Sequence, residues 1–194
     1  LSFLPEQGSV TTEVPDPDNH PFPVGISVKG YELDALEGKG LNTILLKDPD
    51  PVDIEDVLSK AGRIGLGVII EFDATDSTHL SEAERTIVEK AVGSGTVTGY
   101  CILSGWGSGK NGRAALRSAS REIRELDPES QIFLRNYLPG PLDRELLAMV
   151  DALFVDPYPI TEPSKPVYTI TDWFETAQRA VPPETRLIAV IQAF

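Results

Sequence analysis

Seven short apolar runs, most of them followed by polar residues, recur along this chain of 194 residues. The intervals between most of these runs place apolar residues at helical spacing. Apolar strands that alternate with helices are typical of a parallel sheet, because each parallel pair needs a crossover connection. The sequence therefore predicts an α/β fold. The runs are Pro23–Val28, Leu41–Leu46, Leu66–Ile70, Val97–Leu103, Gln131–Leu134, Ala152–Val155 and Leu187–Ile191.

The strongly apolar character of these runs predicts strands that are buried on both faces. Seven such strands fit a (β/α)8 TIM-barrel-like domain over residues 23–194, or a doubly wound open sheet. A barrel needs eight units, and this sequence stops after the seventh. We therefore expect an eighth unit that is missing, unseen or supplied by a second copy or a neighbouring domain. Residues 1–22 contain four prolines and no lasting periodicity, which predicts a lead-in arm or a linker.

The intervals between the strands predict six helices and several of their ends. Ser81 and Glu84 form a capping-box sequence, Asp53 fits an N-cap, and Gly40 fits a helix stop. The fourth interval opens with a glycine-rich loop over residues 104–112. The predicted helices lie near Tyr31–Gly38, Asp53–Gly62, Ser81–Val92, Arg113–Leu126, Leu142–Val150 and Ile170–Val181.

Four short segments occur in the order expected of one particular superfamily. They are Gly25-Ile26 with Tyr31 and Gly40-Leu41-Asn42-Thr43, then Gly65-Leu66-Gly67-Val68, Asp156-Pro157-Tyr158-Pro159 and Val190-Ile191-Gln192-Ala193-Phe194. Over residues 22–194 this order resembles the (β/α)8 glycoside hydrolase superfamily. The resemblance implies a TIM barrel that binds, and in an active member hydrolyses, a carbohydrate at the C-terminal mouth of the barrel.

The chain departs from that superfamily at the two positions that usually hold the catalytic carboxylates. Strand four leads into Ser104-Gly105-Trp106-Gly107, where the superfamily usually has an acidic tip. The seventh strand ends in Gln192 instead of a nucleophilic Glu. Glycoside hydrolysis ordinarily needs two carboxyl groups that flank the scissile bond. The sequence therefore leaves two functions open: a carbohydrate-active barrel, or a non-catalytic structural or interaction module of an extracellular assembly.

Other carboxylates follow the predicted strands and are the candidates for acid–base chemistry. Glu71 and Asp73 end the third strand, on the same side because strand residues two apart share a face. Asp156 ends the sixth strand, and we expect it to face one of them across the mouth. A pair whose environments separate the two pKa values would supply an acid and a base. The competing interpretation is that these residues only form turns and caps.

Aromatic and polar residues near the strand ends are the candidates for substrate binding. Aromatic faces suit the apolar faces of sugar rings, and amide or guanidinium groups suit hydroxyls. The candidates are Trp106, Arg135, Asn136, Tyr137, Tyr158 and Gln192. A third hypothesis places a phosphate at Gly107–Gly112, which matches G-x-G-x-x-G between a strand and a helix. It fits poorly, because Asn111 replaces the Ser or Thr of a P-loop.

The composition of the chain argues against several classes of binding partner but does not identify one. The net charge of −13 opposes nucleic acid and anionic membranes as partners. No apolar run approaches the roughly 18 residues of a membrane span, so we expect no membrane insertion. Cys101 is the single cysteine and lies within an apolar run, which predicts a small buried side chain and no zinc site. We expect no cofactor, a carbohydrate partner, and an extracellular or cell-surface location.

Overall fold

The computed structural model describes residues 25–28, 33–73, 79–103, 110–136, 144–156 and 169–189. Within these residues, seven parallel strands form one sheet in the order β1 to β7, each strand paired with the next along the chain. The TIM-barrel-like α/β fold predicted from the apolar runs is thereby confirmed, with seven strands and no closing eighth among the described residues. The strands are Gly25–Val28, Thr43–Lys47, Gly67–Asp73, Val97–Leu103, Gln131–Asn136, Ala152–Val155 and Arg186–Ala189.

Helices occupy the intervals between the strands, as the helical spacing predicted. A single 3-10 turn, Leu33–Leu36, lies between β1 and β2, where the sequence predicted a longer helix. Within the described residues, helix α4 covers Arg144–Leu147 and so ends three residues before the predicted Val150. The helices are α1 Ile54–Arg63, α2 Glu82–Ala91, α3 Lys110–Leu126, α4 Arg144–Leu147 and α5 Thr169–Ala180.

The predicted helix ends are confirmed in part. The Ser81 side chain accepts a hydrogen bond from the Glu84 N–H, and the Glu84 carboxylate accepts one from the Ser81 N–H, so the capping box is present. Asp53 does occupy the N-cap of α1, but its side chain makes no capping hydrogen bond. Helix α3 starts at Lys110, so the last three residues of the predicted loop 104–112 belong to the helix instead.

The two faces of the sheet have different surroundings. The outer face, which carries residues such as Ile44, Ile70, Ile102 and Leu134, packs against the helices in one large apolar cluster. Each helix supplies a stripe to this cluster, for example Leu116, Ala119 and Ile123 of α3, whose spacing of three and four residues places them on one side of the helix.

The inner face carries a much smaller apolar cluster, and none of its residues is contributed by a helix. It consists of alternate strand residues, and the side-chain period of two explains why neighbours such as Leu134 and Phe133 face opposite sides. Phe133 and Phe154 contact one another there, with ring centroids 5.4 Å apart. The buried members of this inner cluster are Leu45, Ile69, Cys101, Phe133, Ala152 and Phe154.

Burial of the strands falls toward the two ends of the sheet. All four residues of β6 are buried, whereas β1 has three exposed residues, and β7 has no fully buried one. Ile26 of β1 is among the large apolar side chains that are exposed. No helix in the described part of the chain has the length and hydropathy needed to cross a membrane. The predicted arm, residues 1–22, lies outside the described residues.

Candidate functional site

Charged side chains stand on the inner face of the sheet, one step beyond the inner apolar cluster. Glu71 lies two residues after Ile69 on β3, Arg135 two residues after Phe133 on β5, and Asp156 directly follows β6. All three side chains are almost completely buried. The carboxyl ends of parallel strands meet at one edge of the sheet, so these groups converge at the end where TIM-barrel active sites lie.

A single guanidinium group joins the two carboxylates. Arg135 Nη1 donates to Glu71 Oε2 at 2.5 Å. Arg135 Nε and Nη2 both donate to Asp156 Oδ2, at 3.0 and 2.5 Å. We call Glu71, Arg135 and Asp156 the inner ion triad. Charge-assisted hydrogen bonds of this kind are the strong ones in proteins, and here they are shielded from water.

Strand register explains how residues from three strands meet. Arg135 pairs with Phe154 of β6, so Asp156 stands one inner position further along the adjacent strand. Glu71 pairs with Cys101 of β4, which lies between β3 and β5. Arg135 pairs with Leu103 of β4, so its long side chain crosses the width of β4 to reach Glu71 on β3.

Electrostatics within the site favour a charged guanidinium and a neutral thiol. Burial by itself would lower the pKa of Arg135, but the hydrogen bond and charge of Glu71, followed by those of Asp156, raise it above its ordinary value. The pKa of Cys101 is raised, chiefly by burial and also by the negative charge of Glu71. Arg135 is therefore a permanent cation, and Cys101 is a protonated, apolar-type residue, as its position in the sequence predicted.

One oxygen of the inner ion triad accepts no hydrogen bond. Both guanidinium nitrogens that contact Asp156 donate to Oδ2, and the buried Oδ1 is without a partner. Buried polar atoms in native proteins almost always have a hydrogen-bond partner, so a buried acceptor without one among the described residues calls for an explanation. Asp73, two residues beyond Glu71 on the same side of β3, is exposed at this end of the sheet.

The structure brings together part of the set of site residues predicted from the sequence. Glu71, Arg135 and Asp156 are in contact, and Asp73 is nearby on β3. The other predicted site residues lie outside what the structure describes. They are Trp106, Tyr137, Tyr158, Gln192, the side chain of Asn136, and most of the proposed phosphate loop Gly107–Gly112. The roles of all these residues in catalysis and substrate binding stay predictions.

The sequence did not predict that Arg135 joins Glu71 to Asp156, and it did not identify Lys47 as part of the site. The described hydrogen bonds of Arg135 go to two carboxylates, a contact that the sequence did not predict. Lys47 of β2 stands on the inner face and pairs in register with Glu71 of β3. Its positive charge lowers the pKa of Cys101, as that of Arg135 does, whereas the charges of Glu71 and Asp156 raise it. The sequence did contain an indication of this cluster. Side chains alternate between the two faces of a strand, and Lys47, Glu71 and Arg135 are charged residues at inner-face positions.

The residues present at this site are suited to hydrogen bonding with a polar ligand. Among the described residues at the ends of the strands, carboxylates are contributed by Glu71, Asp73 and Asp156, and cations by Lys47 and Arg135. Among the described residues, no group of three or more His, Cys, Asp or Glu side chains could hold a metal ion.

Solved structures share the architecture of this chain. It is similar to the spore cortex-lytic enzyme SleL of Bacillus cereus, with a TM-score of 0.57 and 9% identity over 85% of this chain and 49% of SleL. It is similar to endo-glycoceramidase II of a Rhodococcus species, with a TM-score of 0.57 and 13% identity over 80% of this chain and 59% of that one. These likenesses agree with the TIM-barrel-like α/β fold that the strand order defines.

The same architecture also occurs in an enzyme whose name indicates different chemistry. A structure described as a putative deoxyribose-phosphate aldolase from Coccidioides immitis matches with a TM-score of 0.52 and 12% identity over 84% of this chain and 70% of that one. No family model matches the sequence, and no curated protein does. This chain spans only about half the length of SleL and 59% of the endo-glycoceramidase. At these identities the likeness shows the fold alone.

Proposed function

We propose that this chain binds a carbohydrate at the C-terminal mouth of its strands and does not hydrolyse it. The observation that carries the proposal is the inner ion triad, which occupies the place where TIM-barrel enzymes hold their catalytic groups. The glycosidase-like fold supports carbohydrate as the ligand class. Sugars offer many hydroxyl donors, and the unpartnered Asp156 Oδ1 is an acceptor that such a donor would satisfy.

The bonding within the inner ion triad argues against hydrolysis. A glycosidase needs one carboxyl group that delivers a proton and a second that acts as nucleophile or base. Glu71 and Asp156 instead both accept hydrogen bonds from the same buried, charged guanidinium, so each is engaged as an anion that holds Arg135. Among the described residues, Asp73 is a further carboxylate at this edge, and its side chain is exposed.

Calorimetric titration with chito-, malto- and cello-oligosaccharides tests the binding, and reducing-sugar release from the same glycans tests hydrolysis. We expect saturable binding of at least one series by the wild-type chain and no release of reducing ends. Asp156→Asn should weaken that binding about tenfold or more, because a hydrogen bond to a charged group contributes roughly 1.5–3 kcal/mol. Asp56→Asn makes the same charge change at an exposed site on α1 and should leave affinity within twofold.

A third variant separates ligand binding from the stability of the site. Glu71→Gln weakens the inner ion triad but leaves Asp156 Oδ1 in place, so it should lower the free energy of unfolding and reduce affinity less than Asp156→Asn. Failure of every glycan to bind wild-type protein would overturn the proposal. Glycan cleavage that disappears in both Glu71→Gln and Asp156→Asn would show that the site is catalytic instead. The extracellular or cell-surface location stays a prediction.

A further inference from the structure

A groove outside the barrel mouth is lined mainly by arginines of one helix. Its volume is about 340 Å³, at the lower end of the range for small-molecule sites. Three of its six lining residues are Arg117, Arg121 and Arg124 of α3, and the others are Ser120, Glu125 and Met149. Arg117, Arg121 and Arg124 are separated by four and three residues, so they project from one side of the helix. Met149 lies two residues after the end of α4, so the groove lies between α3 and the segment after α4.

Positive charge in this groove is only weakly compensated. Arg121 Nε lies 3.8 Å from Glu125, and Arg124 Nη2 lies 3.4 Å from Asp151, and the side chains of both pairs are well exposed to solvent. The Asp151 Oδ2 atom also accepts a shorter hydrogen bond, 2.7 Å, from the Ile132 N–H. Arg117 has no ion pair with a described residue. Like charges four residues apart on a helix repel, so Arg117 and Arg121 raise the energy of an empty groove.

A second, independent feature also points to a ligand. Ser120 lines the groove and is only 3% exposed, yet its Oγ has no hydrogen-bond partner. A serine within a helix usually bonds the carbonyl four residues earlier when it is buried, and this one does not. A hydroxyl donor therefore lies unsatisfied beside three guanidinium groups.

We propose that this groove binds a small molecule that carries a phosphate or sulfate ester. Guanidinium groups match the oxygens of tetrahedral anions in charge and in the geometry of their donors, and the Ser120 hydroxyl adds a neutral donor. The methylene stems of the arginines and Met149 supply apolar surface for the remainder of the ligand. The acidity of the whole chain makes non-specific attraction of anions a poor explanation for binding here. This site is independent of the carbohydrate site proposed above.

Titration followed by amide chemical shifts and calorimetry tests the proposal on the full chain. The probes are glucose 6-phosphate and glucose 6-sulfate, with glucose and sodium chloride at matched ionic strength as references. We expect saturable binding of at least one ester, shifts centred on α3 and near Met149, and no binding of glucose at this groove. The two esters then distinguish phosphate from sulfate as the natural group.

Matched variants decide whether the groove is responsible. Arg117→Gln and Arg121→Gln should each weaken ester binding at least fivefold, whereas Arg63→Gln, an exposed arginine at the end of α1, should change it less than twofold. Ser120→Ala should weaken binding about threefold while the unliganded protein stays at least as stable, because an unsatisfied buried hydroxyl is removed. Absence of saturable binding, or equal losses in Arg63→Gln and Arg117→Gln, would overturn the proposal.

Discussion

The two faces of the same seven-stranded sheet follow different rules. The outer face is mainly apolar and packs against amphipathic helices. The inner face has a small apolar cluster that ends in three buried charges. Burial of apolar surface stabilises the outer face with little dependence on geometry, whereas buried charges are tolerated only when they are paired. The outer face therefore specifies the fold, and the inner face is where a stability cost indicates a function.

Two adjacent residues of β5, Leu134 and Arg135, allow the outer and inner faces of the sheet to be compared directly. Leu134 faces the helices and is completely buried, and Arg135 faces the inner side and is buried to nearly the same degree. Substitutions at these adjacent positions therefore probe the two faces with the backbone held constant.

The largest effect is expected from Arg135→Met. Removal of the guanidinium takes away the cation that pairs with the buried carboxylates of Glu71 and Asp156, which should lower the free energy of unfolding by about 3–5 kcal/mol in denaturant titrations. Arg179→Met on α5 removes an exposed pair with Glu175 and serves as the control, with a cost of at most about 0.5 kcal/mol. Equal costs at the two arginines would contradict the assignment of the inner ion triad as a buried network.

A triple variant tests whether the charges are needed for folding at all. Replacing Glu71, Arg135 and Asp156 together by Leu, Met and Leu should restore most of the stability lost in Arg135→Met, because well-packed apolar residues often replace buried ion pairs at no cost. The same triple variant should lose carbohydrate binding. Restored stability with lost binding would show that the inner ion triad serves function more than folding.

Leu134→Ala should act on stability alone. It creates a cavity on the outer face, with an expected cost of about 2–5 kcal/mol in the same denaturant titration. Because the side chain points away from the mouth, glycan affinity of the folded protein should remain within twofold of wild type. Loss of binding at full stability would mean that the two faces are not separable.

The sequence predicts the outer face well and the inner site incompletely. Apolar runs and helical spacing identify strands and helices because both signals are local, and β4 and β6 have the predicted bounds. Strand order also follows, since consecutive βα units tend to lie side by side. The 3-10 turn Leu33–Leu36 lies where a longer helix was predicted, and α4 ends three residues before its predicted end. Propensity does not reveal which residues find a tertiary partner.

The inner ion triad could not be derived from spacing alone. Glu71, Arg135 and Asp156 are separated by 64 and 21 residues in the chain, and their contact depends on the register of four strands. The carboxylates were predicted as site residues because they end strands, which requires only local reading. Their shared partner, Arg135, lies two strands away from Glu71, and no sequence pattern encodes the reach of its side chain across β4.

Gly99→Ala should show how tightly the inner face is packed on β4. A Cβ atom at this position would contact the backbone carbonyl oxygen of Gln131 and lie 2.5 Å from Phe133 Cε2. Phe133 can move, but the strand backbone of Gln131 cannot, so we expect a loss of about 1–3 kcal/mol in thermal or denaturant unfolding. Adding Phe133→Leu should recover only part of this loss. Full recovery would show that the side chain, and not the backbone, limits the space.

The smallest expected effect is a loss of stability at alkaline pH. It arises from Tyr100 and Cys101, which face the outer and inner sides of β4. Burial raises the pKa of Cys101 above its ordinary 9.0, and burial together with Asp127 raises the pKa of Tyr100 above 10.0. In both cases the unfolded chain loses its proton at a lower pH than the folded one. Stability is therefore complete below pH 9 and falls as the pH rises, by about 1.4 kcal/mol per pH unit for each group that has ionised in the unfolded chain.

Single substitutions assign each part of that alkaline decline to one face of the sheet. Cys101→Ala should flatten the fall in unfolding free energy that begins near pH 9. Tyr100→Phe should leave that first part intact, flatten the fall that begins near pH 10, and cost about 1 kcal/mol at neutral pH through loss of the hydrogen bond from its hydroxyl to Asp127. If Cys101→Ala leaves the decline unchanged, water reaches the thiol, and the inner face is an open mouth instead of a sealed layer beneath the inner ion triad.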